Sequence, residues 1–188
     1  MKNICVFGSS SESIDEQYLR HAEELGSMLI QNGYSVVFGA GKYGVMGAVA
    51  RGVKAQNGEL IGVSPEFFTE LNVLDDGCTE LILTETMRER KAVMEDRSDA
   101  FVICAGGIGT FEEFFEVITL KQLQCHEKPI IIYNDNGFYD QLLELIHSSV
   151  EMRFMSPMVN NLYSVAGSIS EVLSQLTDYV PFTYKKYE

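Results

Sequence analysis

Short apolar runs alternate with amphipathic stretches along almost the whole chain, and this alternation limits the possible folds more than any other feature. NICVF (3–7), YSVVF (34–38), ELIGVS (59–64), TELILT (79–84), AFVIC (100–104) and PIIIY (129–133) are rich in β-branched and aromatic residues and read as strands. Helical patterns cover 13–33, 45–56, 87–98, about 110–125 and 138–150, and a last strand near 162–166 precedes a helix near 168–178. Ser13 and Glu16 have the spacing of a capping box at the start of the first helix, and Gly33 stops it. Strands that are apolar at nearly every position need cover on both faces. That predicts an α/β fold, a doubly wound and mostly parallel sheet with helices on each side.

The chain has 188 residues with no repeat or low-complexity linker, so one domain spanning 1–188 is expected, with a short tail from about 180. Sheets of this class bind ligands outside the carboxyl ends of their strands. The loops 8–13, 39–44, 84–90 and 105–110 should therefore share one edge, and all the glycine-rich stretches fall on it.

Charge narrows the partners. Fourteen Lys and Arg against 27 Asp and Glu give a formal charge of −13, which disfavours nucleic acid and anionic membranes. A small anion is still compatible, because a local cluster of N–H groups acts inside the roughly 8–10 Å over which a distant field is screened. Cys5, Cys78, Cys104 and Cys125 are widely spaced and read as reduced core residues. Neither they nor His21, His126 and His147 have metal-ligand spacing, so no metal is expected. The amino terminus runs straight into a strand, and no apolar run approaches 18 residues, which points to the cytoplasm.

Three stretches on the predicted ligand edge can carry chemistry. GAGKYG, from Gly39 to Gly44, matches GxGxxG, but it follows the second strand and no acid clearly ends the third, so a dinucleotide is disfavoured. A tight turn and close helix packing account for these glycines at least as well. In AGGIGTFEE (105–113), the amides of Gly106, Gly107, Gly109 and Thr110 suit a phosphate at a helix amino end. Acids just behind such a site should repel the phosphate, yet Glu112 and Glu113 stand there. Thr110 and Glu113 also have capping-box spacing, which explains Glu113 without any chemistry. In TMRERK (86–91), Thr86 and Glu89 form another such box, while Arg88, Arg90 and Lys91 crowd a first turn where the helix dipole disfavours cations. A solvated charged face is the usual explanation for such residues, yet this turn should lie at the same edge, where Arg90 could meet an anion.

With these residues in view, the sequence resembles the cytokinin-activating phosphoribohydrolases of the "Lonely guy" type, often mislabelled lysine decarboxylases. That family carries PGGxGTxxE preceded by a segment like MHxRK, read here as AGGIGTFEE (105–113) and MRERK (87–91). The likeness extends through GSSS (8–11), GAGKYGVMGAVARG (39–52), the stretch 116–143 and SVEMRFMS (149–156). It implies a Rossmann-like homodimer that hydrolyses the N-glycosidic bond of a nucleoside 5′-monophosphate without a cofactor. The implied catalytic residues are Arg90 and Glu113, and the implied phosphate loop is Gly106, Gly107, Gly109 and Thr110. Lys91, Gly8 and Ser9 match further binding positions. Ala105 stands for the family's proline and Arg88 for its histidine; the first should loosen a turn, and the second should add charge near the site.

This chemistry resolves the misplaced acids. Breaking a ribosyl C–N bond builds oxocarbenium-like positive charge on the sugar, which a carboxylate favours over the neutral ground state. Loop amides can hold the phosphate while Glu113 faces the sugar, because the ribose spans the gap. A non-catalytic nucleotide sensor or carrier is the alternative, and the base, adenine or prenylated adenine, is open. Helix 111–125 has apolar residues on more than one face, which suits either burial or a subunit contact.

Overall fold

The protein is described from a computed structural model over residues 2–182; the expected tail beyond 182 lies outside the described residues. Seven parallel strands, β1 (Lys2–Phe7), β2 (Tyr34–Phe38), β3 (Leu60–Pro65), β4 (Glu80–Thr84), β5 (Ala100–Ile103), β6 (Ile130–Tyr133) and β7 (Ser164–Ala166), lie in the order 4-3-2-1-5-6-7. The helices are α1 (Glu16–Gln31), α2 (Gly44–Ala55), α3 (Met87–Asp96), α4 (Ile108–Gln122), α5 (Asp140–Glu151) and α6 (Ile169–Thr177). This is the doubly wound Rossmann-like architecture. No helix bridges β3 and β4, where a 3₁₀ segment (Glu66–Leu71) takes its place.

Each inner strand feeds two cores by alternation. Ile4 and Val6 of β1 face one, which α1, α2 and α6 close with Leu25, Leu29, Val49, Val53 and Val172. Cys5 and Phe7 face the other, which α3, α4 and α5 close with Met94, Phe114, Val117 and Ile146. Because both faces are covered, the strands read as unbroken apolar runs. β1 hydrogen-bonds β2 on one side and β5 on the other. The chain leaves β1 for α1 and leaves β5 for α4, which lie against opposite cores, so a crevice opens between these two strand ends.

Three capping expectations had different outcomes. Thr86 Oγ1 accepts from Glu89 N at 3.2 Å, and Glu89 Oε2 accepts from Glu85 N at 2.9 Å, so α3 begins as its sequence predicts. α1 is capped instead by Asp15, whose carboxylate accepts from Gln17 N at 2.8 Å. Its charge also complements the helix dipole, which a serine hydroxyl two residues earlier cannot do. α4 starts at Ile108 with Gly107 as its cap, so Thr110 lies inside the first turn and Glu113 is released from capping. All four cysteines are free; Cys125, expected in the core, is exposed just beyond α4. Among the described residues no helix is long and apolar enough to cross a membrane.

Candidate active site

A cavity of about 540 Å³ opens at the carboxyl ends of the strands, a size suited to a small ligand. Gly8 and Ser9 line it after β1, Gly39 and Gly41 after β2, Met87 and Arg90 from α3, and Gly107, Gly109, Thr110 and Glu113 from α4 and its approach. Ser9 N donates to Ala105 O at 3.1 Å and thereby ties the β1 and β5 loops across the crevice. Tyr139, buried behind them, donates its hydroxyl to Cys104 O at 2.7 Å. The turn at Ala105 is thus held by hydrogen bonds whether or not a proline stiffens it.

The amino end of α4 has no side-chain cap, so its first-turn amides have no intrahelical acceptor and border open space. The glycines before it serve different ends. A Cβ on Gly106 would meet Thr110 Oγ1 at 2.1 Å, so this glycine makes room within the protein and does not itself line the cavity. A Cβ on Gly107 or Gly109 would meet nothing within 4 Å; protein packing does not demand glycine at either position. A demand for bare backbone there comes from whatever occupies the cavity.

One turn further on, Glu113 meets Arg90. Arg90 Nη1 donates to Glu113 Oε1 at 3.2 Å and Nε donates to Val63 O at 3.1 Å, with Arg90 only 7% and Glu113 only 9% exposed. Burial pushes the Glu113 carboxyl up to about 7; Arg90 pulls the other way, while nearby Glu112 adds to the rise. The pair therefore sits near the point at which it exchanges a proton around neutral pH. Beyond it the wall turns apolar, with Met46, Phe68, Val73 and Leu74.

Two neighbours of Arg90 do not reach the cavity. Lys91 pairs with Glu112 and, at 2.7 Å, with Glu116 on the outer side of α3 and α4, so the structure does not place it among the binding residues. Helical geometry explains this, since consecutive residues point about 100° apart and only one can face inward. Arg88 is exposed and does not line the cavity either. The residues that sequence reasoning missed are mostly apolar. Tyr43 and Met87 lie inside the quoted GAGKYG and MRERK stretches, though neither was singled out there. Phe68, Val73 and Leu74 arrive through the 66–75 segment, which is pinned by Lys42 N to Val73 O at 3.0 Å and Asp75 N to Ala40 O at 2.8 Å. No local signal announces those contacts.

The chain is similar to several known proteins. A probable cytokinin riboside 5′-monophosphate phosphoribohydrolase of Oryza sativa subsp. japonica is 37% identical over 180 residues, covering 96% of this chain and 73% of that protein. A cytokinin riboside 5′-monophosphate phosphoribohydrolase of Arabidopsis thaliana is 38% identical over 180 residues, covering 96% and 84%. Among solved structures, the molybdenum cofactor binding protein of Rippkaea orientalis superposes with a TM-score of 0.70 at 23% identity, covering 94% of this chain and 95% of that one. The molybdenum cofactor carrier protein of Chlamydomonas reinhardtii gives 0.69 at 20%, covering 94% and 96%. At those identities the structures speak for the fold alone. The family model described as "Possible lysine decarboxylase" matches residues 46–176, and together with the plant relatives it shows that this chain belongs to that family, the one that includes the cytokinin riboside 5′-monophosphate phosphoribohydrolases.

Proposed function

We propose that the protein hydrolyses the N-glycosidic bond of a purine nucleoside 5′-monophosphate, AMP or a prenylated adenine nucleotide, to free base and ribose 5-phosphate. The observation that carries this reading is the buried Arg90–Glu113 pair, set between uncapped helix amides and an apolar wall. Phosphate rests on the amides of 107–110, with Gly8 and Ser9 across from it. The base lies toward the apolar wall, and C1′ comes beside Glu113. As the bond from C1′ to the base nitrogen breaks, ionised Glu113 stabilises the positive sugar. Water then adds its hydroxyl to C1′ and gives its proton to the departing base. Arg90 orients the carboxylate and offers its remaining N–H groups to the substrate. Among the described residues lining the cavity there is no lysine, so the site presents no amine for the Schiff base that pyridoxal decarboxylation requires.

The test is to incubate the protein with AMP, adenosine and isopentenyl-adenosine 5′-monophosphate and to follow base and ribose 5-phosphate by chromatography. Release from the monophosphates, with adenosine at least about 100-fold poorer, is expected, because remote phosphate binding positions the bond that breaks. Tight nucleotide binding without release would instead favour the sensor or carrier.

The same proposal takes the chain as one nucleotide-binding domain working as a homodimer. Its unbridged, widely spaced cysteines fit a reducing compartment, and the cytoplasm is the proposed address. Phe114, Val117 and Ile118 of α4 are buried, but Ile108 and Phe115 on the helix and Leu123 at its C-cap are exposed along one face. Such a stripe suits a subunit contact. Sedimentation at micromolar concentration should give a dimer that Phe115→Glu splits; a monomeric wild type would count against it.

A further inference from the structure

We infer that Gly39 is a positioning residue whose lack of a side chain seats the Arg90 guanidinium against Glu113. This rests on the catalytic reading of that pair given above. GAGKYG superficially matches a dinucleotide fingerprint, yet its first glycine does something else. A Cβ built on Gly39 would lie 1.8 Å from Arg90 Nη2 and 3.1 Å from Arg90 Cζ, with Met46 Sδ next at 3.2 Å. Its backbone is not in the left-handed region, where only Gly33, Gly44 and Gly137 stand among the glycines. Alanine is therefore conformationally acceptable at 39, and the obstacle to it is the guanidinium.

Arg90 cannot yield freely. Its Nε is held by Val63 O and its Nη1 by Glu113, and the side chain is buried. A planar fork with two of its nitrogens tied leaves Nη2 one place, over the Cα of Gly39 on the cavity wall. A methyl at 39 pushes the whole plane, so the Nη1 contact to Glu113 loosens. The contrast with Gly41 in the same turn is informative. A Cβ there would meet first the far end of the flexible Met46 side chain, with Cε at 2.7 Å.

The titration of Glu113 reports this geometry. The groups that act on it are Arg90 and Lys91 from α3 and Glu112 from its own helix, while Cys5 of β1 and Tyr139 after β6 sense its charge. Of these, Arg90 opposes the rise due to burial most strongly, so displacing it lets the carboxyl climb above about 7.

The experiment compares wild type, Gly39→Ala, Arg90→Ala and the double variant. Gly39→Ala should lower kcat on AMP by on the order of 10–100-fold, as small misplacements of catalytic groups do, with a lesser change in KM. The acid limb of its pH–rate profile should move to higher pH. An NMR titration of ¹³C-glutamate-labelled protein without substrate should show Glu113 moving the same way, and this arm holds even if the wild type proves not to turn nucleotides over. In the Arg90→Ala background, Gly39→Ala should add nothing to either readout. If Gly39→Ala melts early or fails to fold, the same substitution should cost nothing further in the Arg90→Ala background, where the clashing atoms are gone, so that the double variant melts together with Arg90→Ala alone. An unmoved Glu113 titration overturns the assignment, as does an effect of Gly39→Ala that persists without Arg90.

Discussion

Glu113→Gln is expected to abolish base release from nucleoside monophosphates, by at least about 10³-fold in kcat, while nucleotide binding is largely kept. A factor of 10³ corresponds to about 4 kcal/mol of transition-state stabilisation, the range found when one electrostatic stabiliser is removed from an active site. Glutamine preserves size and still accepts from Arg90, so only the charge is lost. Undiminished turnover in this variant would remove Glu113 from the mechanism. In the wild type, activity needs the carboxylate, so the rate should rise as pH increases through about 7. The same substitution should stabilise the fold above that pH. Between 4.5, the ordinary value, and about 7 the folded state keeps a proton that the unfolded state releases, so this group's contribution to stability falls as pH rises. A neutral side chain escapes that penalty by on the order of 1–3 kcal/mol. Denaturant melts at pH 5 and pH 8.5 should show the gain only at the higher value.

Arg90→Ala should be the more damaging change for the fold. It leaves the Val63 carbonyl without its donor and, above pH 7, leaves a buried carboxylate unpaired. Breaking a buried pair in this way costs about 3–5 kcal/mol. At pH 5 Glu113 is protonated in the folded state and the loss should shrink, and the Arg90→Ala, Glu113→Gln double variant should recover much of the stability at pH 8.5. A loss independent of pH and not relieved by the second substitution would mean that Arg90 stabilises through packing alone. Turnover by Arg90→Ala should fall by on the order of 10²–10³-fold, with the acid limb displaced upward.

Much of this architecture was legible before any coordinates. NICVF and AFVIC are apolar at nearly every position, and only a sheet covered on both faces makes such strands stable in water, so class and element order followed. Element ends were less legible: Ser13 was expected to cap the first helix and Asp15 does so, because the difference between such caps is about 1 kcal/mol or less. The pairing of Arg90 with Glu113 could be suspected only from the family's motifs. Within its own loop, Glu113 has the spacing of an inert capping box with Thr110 and needs no partner from α3.

What the sequence by itself determined is therefore the layered sheet, the single edge on which its glycine loops gather, and the residue types able to hold a phosphate and stabilise a cationic sugar. Those follow from local periodicity and from the chemistry of individual side chains. Only the tertiary structure decided that Lys91 turns outward to Glu112 and Glu116 while Arg90 turns inward, that Phe68 and Leu74 close the far wall, and that Gly39 yields its place to a guanidinium. These depend on contacts between residues tens of positions apart, and the same burial that makes those contacts raises the Glu113 carboxyl to about 7.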